Sequence, residues 1–389
     1  LSNLTQTKWN GAPRWTQIAP NSVESVKIFY GPFSAQHSGG SFGSVIEVKS
    51  KMPDDFEMHM DATGFMQESD RFGRDETLWG HKEFISAGNR FGDFTVSGFY
   101  NHLENQGQPQ MWDAQTATTA AAEITALGDR PTAGFDLAQK QADWDEDVAN
   151  INDQFANATP VTGMPYGQNT TGQTTIITGD SGIEETINDL YSMKMSYDLT
   201  DNLRALFNIN FEDFERTTGI NDLAARNYLA GQGIWSDGNP TTGTTGDVIS
   251  QDGVFYIPTK RGWGASRYAP SESVRQTLSY GFNLSGQIND DWSIDTSASY
   301  FDAFKDLSYK PDNSTLDPNN NGEGEVVDKE MWWATFDFKL ATDHFLGDEN
   351  LGFMWGYQYH QADLNTITWN SDNIAQGQCR GNARRWLLC

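Results

Sequence analysis

VESVKIFYGPFSAQHSGGSFGSVIEVKSK, residues 23–51, holds two short β-type runs, Val23–Tyr30 and Ser44–Lys51, around a segment crowded with Gly31, Pro32, Gly39, Gly40 and Gly43. Glycine supplies positive φ at turns and proline fixes φ at their entry, so the chain is expected to fold back sharply between two strands. Upstream, residues 1–21 carry Trp9, Trp15, Pro13 and Pro20 without clear periodicity and read as loops leading into the Val23 strand.

Downstream the pattern changes to alternation. Phe56, Met58, Met60, Ala62, Gly64 and Met66 share one face, and Glu57, His59, Asp61, Thr63 and Gln67 share the other. The same period recurs at about 78–90 and 93–103, at 187–197 and 203–211, at 278–288 and 292–304, and at 332–340 and 351–359, with a tenth run beginning at Thr366–Trp369. A period of two with one polar face marks half-exposed antiparallel strands. Runs of this length meet the roughly 9–11 residues that a tilted strand needs to cross hydrocarbon. Short turns at 91–92, 199–201, 289–291 and about 343–349 alternate with long connections at about 104–185, 216–272 and 306–327. Short turns at one end and long loops at the other are the asymmetry of an outer-membrane barrel. Several runs end in Tyr, Trp or Phe, as aromatic girdles require.

The stretch at 23–51 resembles the end of the plug domain of TonB-dependent outer-membrane receptors. The residues that carry the likeness are Val23, Glu24, Val26 and Ile28, then Gly31, Pro32, Ser34 and Ala35, then Gly39, Gly40 and Gly43, with Val45, Ile46 and Val48 in the final strand. Gln36 and His37 stand where the family has Tyr-Gly, Ser44 where it has Gly, and Glu47 where it has Asn. The resemblance implies an all-β fold, a transmembrane antiparallel β-barrel of which about 9–10 of 22 strands are present, preceded by the C-terminal part of a plug. It divides the chain into plug (1–52) and barrel (53–389), reads it as a fragment cut at both ends, and places it in the outer membrane of a Gram-negative bacterium, embedded in lipid. It further implies energising by a TonB–ExbB–ExbD complex and an extracellular ligand, a ferric siderophore first and cobalamin, haem or oligosaccharide as alternatives.

Composition sets bounds. The 389 residues include 53 acidic and 26 basic side chains, a net charge of −27 that argues against nonspecific nucleic-acid binding. Mean hydropathy is −0.60, and no run approaches a membrane helix, but aromatic content of 13% with 37 glycines suits a transmembrane barrel. Both cysteines, Cys379 and Cys389, fall in the last eleven residues, in a terminal run that carries Arg380, Arg384 and Arg385 and no acid.

No catalytic set, metal site or cofactor motif stands out. The six histidines, His37, His59, His81, His102, His344 and His360, are scattered without HExxH or a Ser–His–Asp order. Asp143, Asp145 and Asp147 alternate in DWDED, but Val148 and Gln154 stand where a calcium loop needs Gly and Glu, so a solvated acidic loop is expected. The 104–185 connection carries 13 acidic and two basic residues. The 216–272 connection holds Trp235, Phe255, Tyr256, Lys260, Arg261, Trp263, Arg267 and Tyr268, a set able to clasp an anionic aromatic ligand or to pack the loop on itself. Gln36 and His37 would face the ligand vestibule in the family fold. The rival readings are a passive porin, an outer-membrane hydrolase and a soluble antiparallel β protein.

Overall fold

The computed structural model describes residues 15–30, 44–218, 248–257, 271–311, 324–348 and 350–371. Strands β1 (Val23–Tyr30) and β2 (Ser44–Ser50) form an antiparallel hairpin in which Val26 faces Val48 and Ile28 faces Ile46. A meander follows: β3 (Glu57–Arg71), β4 (Arg74–Phe91) and β5 (Phe94–Gly107). The chain then leaves the sheet for β6 (Trp112–Thr116), α1 (Ala120–Ala126), α2 (Leu137–Ala156), β7 (Thr159–Pro160), β8 (Tyr166–Gln168) and β9 (Thr174–Asp180). It returns as β10 (Glu184–Thr200) and β11 (Leu203–Thr218), and contributes β12 (Ile249–Gln251) and β13 (Val254–Tyr256) outside the sheet. β14 (Ser271–Gln287), β15 (Trp292–Pro311), β16 (Gly324–Asp328), β17 (Met331–Thr342), β18 (Phe353–Leu364) and β19 (Ile367–Ser371) complete it.

The large sheet runs β18-β17-β15-β14-β11-β10-β5-β4-β3, antiparallel throughout and open at both ends. The all-β antiparallel expectation therefore holds, and the strands run longer than the alternation suggested. The tenth run is not a further wall strand. β19 pairs with β16, and β16 pairs with β15, so β16–β17 and β18–β19 are two long strands broken side by side at Lys329–Glu330 and Asn365–Thr366.

Turn chemistry explains the tight joins. Phe72 and Gly73 both have positive φ (49° and 77°), as a two-residue type I′ hairpin between β3 and β4 demands. Gly286 sits at φ 140° opposite Leu203, where an added Cβ would collide with the Asn202 carbonyl. Only glycine closes the β11–β14 pair there.

The wall is inverted relative to a water-soluble sheet. Its outward face carries Met58, Met60, Trp79, Ile85, Ile187, Tyr191, Met193, Tyr197, Tyr280, Phe282, Phe336, Trp355, Tyr357 and Tyr359, all substantially exposed. Its inward face buries Thr95, Asn101, Asn188, Ser192, Lys194, Ser196, Glu212, Thr277, Ser279 and Thr335. An exposed apolar face of this size, over a polar interior, is stable against lipid and not against water. Aromatic rings join strand to strand on the outside: Tyr100 to Tyr191 (4.8 Å), Tyr191 to Phe211 (6.0 Å), Phe211 to Phe304 (6.3 Å) and Tyr280 to Tyr300 (5.4 Å). This is a girdle.

The described parts of two of the long connections fold into a lobe. β6-β9-β8 and β13-β12-β7 form two small sheets around Val161, Met164, Ile176, Ile249 and Tyr256, and the Phe155 ring meets Phe255 at 5.3 Å. The acidic DWDED run is thus a correction: it lies within helix α2, not in an irregular loop. Along that helix Gln139 donates to Asp143 at 2.7 Å, and Arg130 grips Asp145 with two hydrogen bonds of 2.8 and 2.6 Å. The guanidinium holds the Asp145 carboxyl below the usual carboxylate range. β15 also runs on to Pro311 and meets β16, so the third connection is shorter than 306–327.

Candidate functional site

The polar inward face of the wall is covered by the chain that flanks the β1–β2 hairpin. Gln17 donates to Glu212 Oε2 (3.2 Å) and to Thr277 Oγ1 (3.0 Å). Arg275 donates to both Glu212 oxygens (3.1 and 2.8 Å) and to Thr16 Oγ1 (2.9 Å), while the Asn188 amide donates to the Thr16 carbonyl (3.2 Å). Lys82 reaches Asn21 at 3.3 Å. On the other side of the hairpin, the Lys194 ammonium donates to Ser50 Oγ (2.8 Å) and to the Lys51 carbonyl. Arg90 approaches Asp54 at 3.9 Å.

Local sequence makes these contacts possible. Pro20 stands first in the turn Pro20–Ser22, where its fixed φ starts a 3-10 turn, and Ser22 closes it by donating to the Ala19 carbonyl (2.7 Å). Ala19 is thereby pressed against Phe84 and Leu190, with Phe99 alongside, the one apolar patch of the seam among the described residues. Pro53 lies on Gly88, whose missing Cβ would come within 2.6 Å of the proline ring. Period-two strands aim these residues inward because Lys82, Phe84, Lys194, Glu212 and Arg275 all occupy the polar-face positions of β4, β10, β11 and β14.

Of the residues singled out in the sequence, Glu24 pairs with Lys49 across β1–β2 at 2.7 Å, both well exposed, so the pair contributes little to stability. Gly31, Pro32, Ser34, Gln36, His37, Gly39, Gly40 and Gly43 lie outside the described residues, as do Trp235, Lys260, Arg261, Trp263, Arg267, Tyr268, Cys379 and Cys389. Tyr256 is fully buried in the lobe core, where it packs the loop on itself. Burial raises its phenol pKa. His59 lies on the inward face beside Phe84, ring centroids 6.0 Å apart. The seam residues Gln17, Lys194, Glu212 and Arg275 were not found from sequence. The available signal was charge at polar-face positions of otherwise Ser/Thr/Asn-lined strands.

The lobe is anchored to the wall and to itself by buried polar groups. Arg74, at the start of β4, bonds Asp180 at the end of β9 (3.3 Å), both side chains almost fully buried. Gln251 closes a two-way bond with the Met164 backbone, accepting from N–H (2.8 Å) and donating to C=O (3.0 Å). Gln251→Ala strands both Met164 groups in a dry core and is expected to cost the lobe about 1–3 kcal/mol. Hydrogen exchange should then quicken at residues 159–168 and 249–256 while wall amides stay protected; unchanged exchange in the lobe would contradict it.

No family model matches the chain, and no curated protein matches it. Among solved structures it is similar to the ferric enterobactin receptor of Pseudomonas aeruginosa (11% identity, TM-score 0.38, 95% of this chain and 48% of that one). It is also similar to the ferric preacinetobactin receptor of Acinetobacter baumannii (10%, 0.38, 91% and 50%). A further likeness is to a siderophore receptor of the same organism (10%, 0.35, 89% and 52%). The chain spans about half the length of these structures.

Proposed function

We propose that this chain is the end of the plug and the first part of the barrel of a TonB-dependent outer-membrane receptor, which takes up a scarce ligand, a ferric siderophore first. The observation that carries the reading is the inverted wall with a polar interior covered by the segments on either side of a Gly-Pro-rich hairpin. A passive porin has no need of a hydrogen-bonded segment fixed across its interior. In this proposal the ligand meets the hairpin loop at Gln36 and His37 and the basic-aromatic connection at Trp235, Arg261, Trp263, Arg267 and Tyr268, while Tyr256, buried in the lobe core, supports that connection from beneath. Transport is then a conformational event driven by the TonB–ExbB–ExbD complex, without covalent chemistry.

The test is uptake by the full-length protein in whole Gram-negative cells that lack their own ferric-siderophore receptors, with and without TonB and an uncoupler. Ferric catecholate accumulation that requires both TonB and a proton-motive force supports the proposal. Energy-independent diffusion of small solutes would instead establish a porin. Energy-dependent uptake of cobalamin, haem or an oligosaccharide in place of the ferric chelate would keep the mechanism and change the cargo.

A further inference from the structure

Beyond the aromatic girdle, toward the lobe, a polar band crosses the outward face before apolar residues resume at Trp79 and Ile187. Tyr100 gives way to His102 and Glu104 in β5, Ile85 to Glu83 and His81 in β4, and Tyr191 to Asp189 in β10. One ligand atom from each of His81, His102 and Glu104 falls within 4.8 Å of the other two. His81 and Glu104 are direct cross-strand partners, and His102 stands one pair below them on the same face. The two imidazole rings are 5.3 Å apart.

The neighbour on the next strand sets the chemistry. His102 Nδ1 lies 2.9 Å from Asp189 Oδ1, the oxygen that also accepts from the Tyr100 hydroxyl at 2.6 Å. An Nδ1–H donated to a carboxylate fixes the tautomer and leaves the Nε2 lone pair free, here 4.0 Å from Glu104 Oε2. A carboxylate behind a histidine, with a second histidine and a glutamate in front, is the donor set of a three-ligand metal centre.

We propose that His81, His102 and Glu104 bind a divalent transition ion of the zinc class at the outer rim of the wall, with Asp189 as positioning residue. Imidazole nitrogen with a single carboxylate favours such an ion over calcium or magnesium, which take oxygen shells. Metal–ligand bonds of about 2.0–2.2 Å place ligand atoms roughly 3.3 Å from one another, so side-chain rotation closes the site without moving either strand. Three protein ligands leave a position for water. The bound ion staples β4 to β5 where both leave the girdle, beneath the lobe that β5 feeds.

The test is a Zn²⁺ titration of the chelator-stripped, untagged protein in detergent micelles, in competition with a fluorescent chelator. One ion per chain is expected, with an X-ray absorption spectrum of nitrogen and oxygen neighbours including two imidazoles. His81→Ala and His102→Ala should each abolish saturable binding. Asp189→Asn should weaken it about 10–100-fold, with recovery in Asp189→Glu, and His59→Ala and His360→Ala should leave it unchanged. Unchanged heat-modifiable gel mobility shows that each variant is folded. The absorption spectrum of the unsubstituted protein decides the matter if a variant is not. No saturable binding, sulfur neighbours, or parental affinity in either folded histidine variant would overturn the proposal.

Discussion

Met193→Arg is expected to destabilise the protein in phospholipid vesicles by about 1–3 kcal/mol, between the costs of a basic side chain on the lipid face of a barrel at its interface and at its midplane. The intermediate value follows because Met193 lies one same-face step inside the Tyr191 row. Met193 stands midway along β10 with 42% of its surface exposed, flanked on the same face by Tyr191 and Met195 and paired with Ile209. His59→Arg is the matched control. It puts the same charge on the opposite face, one register step away along the hydrogen-bonded rows, between Glu57 and Asp61. Its effect should stay within about 0.5 kcal/mol, the usual range for a solvated surface change. Urea titrations of the two variants in the same vesicles read the difference. Equal losses would mean that the exposed apolar face does not lie in lipid, and the inverted wall would need another explanation.

The second large effect is at the seam. The Glu212 side chain is 1% exposed and Arg275 16%, joined by a bidentate contact that also holds Gln17 and Thr16. The Arg275 guanidinium lies 4.3 Å over the Phe214 ring, so it is fixed from both sides. Glu212→Ala leaves that cation buried without its partner, and the expected loss is about 3–5 kcal/mol. Glu212→Leu combined with Arg275→Met removes both charges and should recover more than half of it, since a buried pair is often replaceable by apolar side chains. Protease cleavage within residues 15–22 should quicken in the single variant. A single variant as stable as the parent would show that the pair does not hold the segment.

The strands were legible because their signal is local. Alternation such as Met193, Met195 and Tyr197 against Lys194 and Ser196 needs only a period of two, and it marks the two faces of the sheet. The seam was not legible because its partners are far apart in sequence: Gln17 meets Glu212 across 195 positions and Thr277 across 260. Nothing in the order of residues says which buried polar group answers which. Helix α2 was missed for a different reason. Asp136 is a preferred N-cap residue type, but Phe155 is the one buried residue of the helix, so the apolar stripe that marks a helix in sequence is lacking. The false tenth strand arose because Asn365–Thr366 interrupts the pairing of one long strand, and an interruption in pattern looks like the start of a new element.

The seam has one more consequence. Apart from the Ala19 patch and the Pro53–Gly88 contact, what it joins is mostly hydrogen-bonding groups that water can also satisfy. Parting the two sides would uncover little apolar surface beyond Ala19, Phe84, Leu190 and Pro53, and would demand little of the hydrophobic effect, which is what makes most protein interfaces costly to open. What would remain on the sheet is a wettable lining of Ser192, Ser196, Thr277, Ser279 and Asn188. A fastening made this way can be undone without the wall collapsing, and it leaves a hydrophilic surface behind.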